Sequence, residues 1–395
     1  MTVPVSILSL PESLSALEAR LIAWAGINSG SGHAAGLDRM ADVLADALRL
    51  LPGEVDFLPA GERRIVRSRC RPDAPLRVLC NGHYDTVYEA DHPFQTCRRT
   101  SDTVLNGPGV ADMKGGIVTL LAALAAFEET PSAERIGWEI LLTPDEETGS
   151  FASAPALAAA ARRNHFGLVF EPARPGGEII HSRKGTGAFL IRCQGRAAHG
   201  AQPEAGRNAI LALSSFMLAA ARLPAELPDV LLNVGRVQGG GAINIVPDRA
   251  EAELHVRITQ AAQQREVIAR LESLAARTSA ETDCVLKVEG TFDRPPKECR
   301  PAEIAAYGAW LQAATDLGQS PPKWVHSAGG SDGNLLSAAG LPCLDGVGPI
   351  GGDLHSGSEW VNLPSLASRA QLAALFLHRL AAGEITLPPS NDRLA

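Results

Sequence analysis

The chain of 395 residues predicts an α/β fold, a doubly wound mixed sheet interrupted by a smaller inserted domain. Three observations carry this expectation. Short, nearly continuous apolar runs over residues 76–80, 138–142 and 167–170 suit central strands covered on both faces. Segments of helical spacing alternate with these runs, which is the strand, loop, helix order of α/β proteins. The middle of the chain then changes to strand, helix, strand, strand, helix, strand, the order of the ferredoxin-like split motif.

Taken in order, apolar residues recur at helical spacing from 14 to 51, and Asn28-Ser29-Gly30-Ser31-Gly32 divides them into two helices. The strand at 76–80 ends at Asn81-Gly82 and leads through a polar loop to a helix over 113–129. The strands at 138–142 and 167–170 each run into polar or acidic residues, and ligands of such sheets gather at the carboxyl ends of the strands. Within the inserted domain, strands are expected over 186–194, 230–237, 250–258 and 284–289, with helices over 207–223 and 263–277. A helix over 304–317, a Gly-rich loop, a strand at 341–344 and a helix over 365–380 return to the α/β pattern. The main domain is thus expected to take 1–184 and 292–395 and the insert 185–291, with a loose end at Leu387-Pro388-Pro389-Ser390.

Composition narrows the function. Lys plus Arg number 36 and Asp plus Glu 44, a net charge of 36 − 44 = −8, and aromatics are 5%. Such a chain lacks the basic field and stacking surface that nucleic-acid binding uses, so no nucleic-acid partner is expected. The longest uncharged apolar stretch, 115–127, falls short of the roughly 20 residues a bilayer requires, so no membrane partner is expected either. No basic region precedes Ile7-Leu8, and Glu12 and Glu18 follow, which argues against a secretory signal. Seven cysteines without a C-x-x-C pair argue against a disulfide framework or a cysteine zinc site, and a cytoplasmic location is the expectation.

The chemistry gathers at the expected strand ends. His83-x-Asp85 follows the first central strand, Asp112 precedes a helix, Glu146-Glu147 follow the second strand, Glu171 follows the third, and His355 follows the last. Alone, each reads as a solvated or capping residue. Together they are donors from five strand ends that can converge on one crevice. His-x-Asp places both side chains on one side of extended backbone, so Asp85 can fix the tautomer of His83. Asp112, Glu147 and Glu171 carry about −3, two divalent ions about +4 and a hydroxide about −1, so a two-metal cluster is close to neutral. Two ions roughly 3.5–4 Å apart would polarise a carbonyl and acidify the water between them. Glu146 is left over as a general base.

The runs Gly82-His83-Tyr84-Asp85-Thr86-Val87, Gly107-Pro108-Gly109-Val110-Ala111-Asp112-Met113-Lys114-Gly115-Gly116, Asp145-Glu146-Glu147-Thr148-Gly149-Ser150 and Glu171-Pro172 resemble the co-catalytic zinc metallopeptidases. That family includes glutamate carboxypeptidase (carboxypeptidase G), aminoacylase, acetylornithine deacetylase and succinyl-diaminopimelate desuccinylase. The resemblance spans nearly the whole chain in the expected order. It implies a zinc-peptidase catalytic domain with an inserted lid and dimerisation domain, two Zn2+ per subunit with Co2+ or Mn2+ as substitutes, and a homodimer paired through the lid. By the same resemblance His83 and Glu171 would bind one zinc, Glu147 and His355 the other, and Asp112 would bridge them. Glu146 would take the proton from the bridging water and pass it to the leaving amine, Asp85 would orient His83, and the Asp112-Met113 peptide would be cis.

The insert matches too. Gly195-Arg196-Ala197-Ala198-His199-Gly200 resembles the lid segment whose histidine stabilises the tetrahedral oxyanion, typically across the dimer; the alternatives are a surface histidine or a lid that does not pair. Arg294 resembles the arginine that holds a free carboxylate. Asn244 and Arg257 resemble lid residues that contact the substrate or the oxyanion, with a solvated strand position as the other reading of Arg257. Asp332-Gly333 reads as part of the pocket wall near His355 or as a plain turn. The resemblance therefore implies hydrolysis of an N-acyl amino acid or small peptide that releases a C-terminal amino acid. A dipeptidase or aminopeptidase is the nearer alternative, and a non-catalytic metal-dependent binding module the remote one. A nucleotide-binding oxidoreductase is disfavoured, because Asp112 stands where G-x-G-x-x-G needs its third glycine.

Overall fold

The computed structural model describes residues 3–388, so Pro389 and Ser390 of the terminal stretch expected to be loose lie outside the described residues. The chain opens with α1 (Val5–Leu8), α2 (Leu14–Ala25) and α3 (Ala34–Leu48). Ser13 caps α2 by accepting from the Ala16 amide. A hairpin of β1 (Glu54–Ala60) and β2 (Arg63–Cys70) follows, and then β3 (Arg77–His83), β4 (Arg98–Ser101), β5 (Val104–Asn106), α4 (Lys114–Glu128), β6 (Gly137–Thr143), α5 (Ala154–Arg163), β7 (Phe166–Val169) and β8 (Ile179–Arg183).

The chain then forms β9 (Gly185–Gln194), β10 (Ala198–His199), α6 (Ala209–Ala220), α7 (Leu223–Glu226), β11 (Leu231–Gly239), β12 (Ile245–Val246), β13 (Arg249–Ile258), α8 (Ala262–Thr282) and β14 (Val285–Arg294). It finishes with α9 (Pro301–Asp316), β15 (Trp324–Ser327), α10 (Asp332–Ala338), β16 (Cys343–Asp345), β17 (Gly351–Gly352), β18 (Trp360–Asn362) and α11 (Leu363–Ala382).

Two compact units result. One comprises Met1–His181, Cys299–Ser327 and Ser331–Ala395, and the other Ser182–Glu298 with Ala328–Gly330. The insert expected over 185–291 therefore starts at Ser182 and ends at Glu298. The reason is local pairing: the backbones of Arg183 and Lys297 exchange hydrogen bonds of 3.1 and 3.0 Å, beyond the limits read from the apolar pattern.

The first unit holds an eight-stranded mixed sheet in the order β1-β2-β6-β3-β7-β16-β8-β15. β3 runs parallel to β6 and β7, and β7 parallel to β16, whereas β2 is antiparallel to β6. Its central strands are buried because helices cover both faces. Val78, Cys80, Ile140, Leu142 and Leu168 pack in the cluster with α4 and α11, and Leu79, Leu141 and Val169 pack with Leu157 of α5 and Leu336 of α10. This side-to-side alternation along fully apolar strands defines the doubly wound sheet. β17, β18, β5 and β4 form a small second sheet. Asp332-Gly333 is not a plain turn: Ser331 caps α10, and Asp332 is buried at its first residue.

The second unit is a four-stranded antiparallel sheet in the order β11-β13-β9-β14, the ferredoxin-like arrangement. Along β13 Ala250, Ala252, Leu254, Val256 and Ile258 face the core, while Arg249, Glu251 and Glu253 are exposed. Residues 209–226 have the length and apolar composition of a membrane span. They form two helices instead, separated at Ala221 and Arg222, and Ala212, Leu213 and Phe216 of α6 lie in the core of this unit.

α4 passes so close to the end of β7 that a Cβ on Gly116 would lie 2.0 Å from the Phe170 carbonyl oxygen. This approach needs glycine, and it brings the helix start beside Glu171. Gly116→Ala should therefore destabilise the protein by about 1–3 kcal/mol or more. Gly308→Ala, at an exposed position of α9 with nothing within 4 Å of the new methyl, should stabilise it by about 0.5–1 kcal/mol. Urea unfolding of both variants checks the pair, and equal effects would contradict the close approach.

Candidate metal centre

Four loops and one strand end of the first unit bring the expected donors together. His83 is the last residue of β3, Asp112 precedes α4, Glu147 sits in the 3-10 turn Glu146–Thr148 after β6, Glu171 follows β7, and His355 follows β17. His83 Nε2 is 3.0 Å from Asp112 Oδ1 and 3.7 Å from Glu171 Oε1. His355 Nε2 is 3.3 Å from Asp112 Oδ2 and 3.0 Å from Glu147 Oε2. Asp112 thus gives one oxygen to each histidine. The donors fall into two triads, His83-Asp112-Glu171 and Asp112-Glu147-His355, each with its ligand atoms within 4.8 Å of one another. This set of imidazoles and carboxylates, sharing one aspartate, fits a pair of divalent cations.

Electrostatics shows why these groups need one another. Burial pushes the Asp112 carboxyl up, but hydrogen bonds from His355 and His83 outweigh it and hold the group well below the usual carboxylate range. Burial and the neighbouring Asp112 charge raise Glu147 to about 7 despite its bond to His355. His355 is raised to about 11 by its hydrogen bonds to Asp112 and Glu147. Burial lowers His83, but Asp112, Asp85 and Glu171 together leave it well above its ordinary value. His355 itself lies in left-handed backbone at φ 60°, an uncommon state for a residue with a Cβ.

Further carboxylates hold the loops. Asp85 Oδ1 lies 3.3 Å from His83 Nδ1, and the Asp85 side chain also accepts from Ser31 Oγ at 2.8 Å and from the Glu146 and Glu147 amides at 3.1 Å each. One side chain therefore orients a histidine and anchors the turn that carries both glutamates. Asp145 accepts from the Ala152 and Ser153 amides and from Ser153 Oγ. Asp332 accepts from Thr143 Oγ1 at 2.7 Å and from Ser150 Oγ. Glu146 is 8% exposed within the anchored turn. The Asp112-Met113 peptide is cis. Sequence reasoning gave no part to Ser31 or Asp145. Ser31 belongs to a run read only as a helix break, and its partner lies 54 residues away.

The remaining expected residues lie in the second unit. Exposed His199, on β10, accepts from the Ala201 amide at 3.0 Å and pairs across to Ile245, next to Asn244, whose carbonyl accepts from the Gly200 amide at 2.7 Å. Arg257 and Arg294 flank Thr186 on the neighbouring strands β13 and β14. Arg294 is 9% exposed, and Arg257 donates to the Ala328 carbonyl at 2.6 Å.

A doubly wound sheet with two carboxylate and imidazole triads at its strand ends defines a metallohydrolase class of site. Residues 79–379 match peptidase family M20/M25/M40, and the chain belongs to this family of metal-dependent hydrolases. Carboxypeptidase G2 of Pseudomonas sp. (strain RS-16) is 26% identical over 375 residues, covering 91% of this chain and 88% of the relative. A succinyl-diaminopimelate desuccinylase of Alkalilimnicola ehrlichii is 26% identical over 357 residues, covering 86% and 92%. Among solved structures, aminopeptidase PepT of Bacillus cereus shares the fold with a TM-score of 0.79 at 20% identity, covering 93% of this chain and 99% of its own. The YxeP protein of Bacillus subtilis, a dinuclear metal-binding peptidase of the M20 family, shares it at 0.72 and 17%, covering 94% and 99%.

Hydrogen bonds to the surrounding carboxylates raise both histidines above their ordinary range, so protons compete with a cation for each imidazole. Metal affinity should therefore rise with pH between about 6 and 8, roughly tenfold per pH unit for each proton displaced. Calorimetric titration in buffers of different ionisation enthalpy measures the release directly. Affinity independent of pH, with no protons released, would contradict the pairing.

Proposed function

We propose that this chain is a di-zinc hydrolase that cleaves the amide bond of an N-acyl amino acid or small peptide and releases the C-terminal amino acid. The observation that carries this reading is Asp112, whose two oxygens face the two histidines of separate triads. Relatives named carboxypeptidase and desuccinylase, aligned over most of the chain, support hydrolysis of an acyl amide.

His83 and Glu171 would hold one ion, Glu147 and His355 the other, and Asp112 both. When bound, the pair of ions would polarise the scissile carbonyl and lower the pKa of a water molecule between them. Glu146, fixed through its amide by Asp85, takes the proton from that water and hands it to the leaving amine. By the family resemblance, His199 would stabilise the oxyanion of the tetrahedral intermediate, Asn244 and Arg257 would contact the substrate or that oxyanion, and the guanidinium of Arg294 would receive the free carboxylate of the substrate.

Two copies would pair through the second unit. Its α6 exposes Leu211 at 67% and Leu218 at 70%, and β11 is an edge strand with Leu231 and Val237 exposed. Apolar surface beside an open strand edge favours a partner that covers both.

A panel of N-acyl amino acids and dipeptides tests the activity, with metal-replete and chelated protein side by side. Release of a C-terminal amino acid should be chelator-sensitive and should fall sharply when that carboxylate is esterified. Cleavage of free-amino dipeptides alone would place the activity with dipeptidases or aminopeptidases. Glu146→Gln should lower kcat by about 10²–10⁴-fold at unchanged metal content, and retained activity would remove Glu146 from its role. For the dimer, sedimentation should show two copies for the native chain and one for Leu211→Glu/Leu218→Glu. A monomeric native chain would end that part of the reading.

A further inference from the structure

Glu359 is 1% exposed and lies four residues beyond His355. A carboxylate so deeply buried is unfavourable unless donors surround it. Here Oε1 accepts from the Ala111 amide at 2.9 Å and the Asp112 amide at 3.0 Å. Oε2 accepts from the Gly109 amide at 3.1 Å and lies 2.8 Å from Tyr88 Oη. The Tyr88 hydroxyl is also 2.8 Å from the Ser356 carbonyl, one residue past His355. On the main-chain side, the Glu359 carbonyl accepts from the Gly107 amide at 3.2 Å and from Asn106 Nδ2 at 2.7 Å.

These bonds join two loops that are 250 residues apart in sequence. One ends in Asp112 and the other begins at His355. Lys114, the buried cation nearest in sequence, donates instead to the carbonyls of Trp24 and Ile27, so it does not substitute for the amides around Glu359. Asp112 Oδ2 and His355 Nε2 can hold their 3.3 Å separation only if both loops keep their register. His83, by contrast, ends β3, and Glu171 lies two residues past β7, the strand that pairs with β3 in parallel.

We propose that Glu359 is a positioning residue that holds Asp112 against His355, so that the Asp112-Glu147-His355 triad, which takes residues from both loops it ties, depends on it more than the His83-Asp112-Glu171 triad, which takes only Asp112 from them. The proposal rests on the two-metal reading above. It assigns Glu359 no contact with substrate, and Tyr88 is its accessory.

The test is Co2+ titration of the chelated full-length chain and its Glu359→Ala, Glu359→Gln and Tyr88→Phe variants, followed by calorimetry and visible absorption. The native chain should bind two ions. Glu359→Ala should bind one ion about 10–100-fold more weakly and the other with a distinctly smaller loss, with the larger change in absorption for the weakened ion. Glu359→Gln should be intermediate, because its amide oxygen still serves Ala111 and Asp112 while its NH2 group meets the Gly109 N–H. Tyr88→Phe should show the smallest loss in the same direction. If Glu359→Ala does not fold, the other two variants decide. Lower melting temperatures with both Co2+ affinities and spectra unchanged would overturn the positioning role and leave the two-metal reading intact. Fewer than two ions on the native chain would overturn the two-metal reading itself.

Discussion

The constraint on which the first unit depends is repulsion among buried carboxylates. Asp112 shares each of its two triads with another acid, Glu171 in one and Glu147 in the other, and the ligand atoms of each triad lie within 4.8 Å. At an effective dielectric near 20, two like charges about 4 Å apart repel by about 4 kcal/mol. The chain does not remove this cost by spreading the groups; it interleaves two imidazoles among them. That single choice explains why Asp112 is held low and His355 high, and why Glu147 remains poised near neutrality.

A second set of buried carboxylates has the opposite character. Asp85, Asp145, Asp332 and Glu359 each accept from backbone amides, hydroxyls or both, and each fixes a loop that carries a donor or borders one. The two sets differ in what surrounds them. Acids with donors supplied by the chain are anchors, while acids that face one another need charge from elsewhere. A site of this kind is assembled from the outside inward, with the anchoring acids making the confronting ones tolerable.

The central strands were legible in the sequence because both faces of each are covered, which leaves unbroken apolar runs in β3, β6 and β7. The β1–β2 hairpin was not legible. It lies toward one sheet edge, carries Pro59, and spaces Arg63, Arg64, Arg67 and Arg69 among its apolar residues. The donors could be named because each follows a recognisable strand or opens a helix. Among their anchors Asp85 could be named beside His83, but the bonds of Ser31, Asp332 and Glu359 could not, since these act on partners 54, 189 and 250 positions away, and a plain serine or acid carries no local sign of such a bond. The limits of the insert shifted for the same reason: the pairing of Arg183 with Lys297 joins polar residues that no periodicity marks.

The first unit is built from three separate stretches of chain, and this sets a timetable for its synthesis. His83, Asp112 and Glu171 all precede the inserted unit, so the first triad is complete before any of that unit has been translated. Glu147 also emerges early, but its histidine partner is residue 355 and the Glu359 anchor comes later still. There is therefore a long interval in which all three residues of one triad have been made and the other still lacks its histidine. Throughout that interval Glu147 stands without the imidazole that offsets its charge, and the centre can close only after the entire inserted unit has left the ribosome.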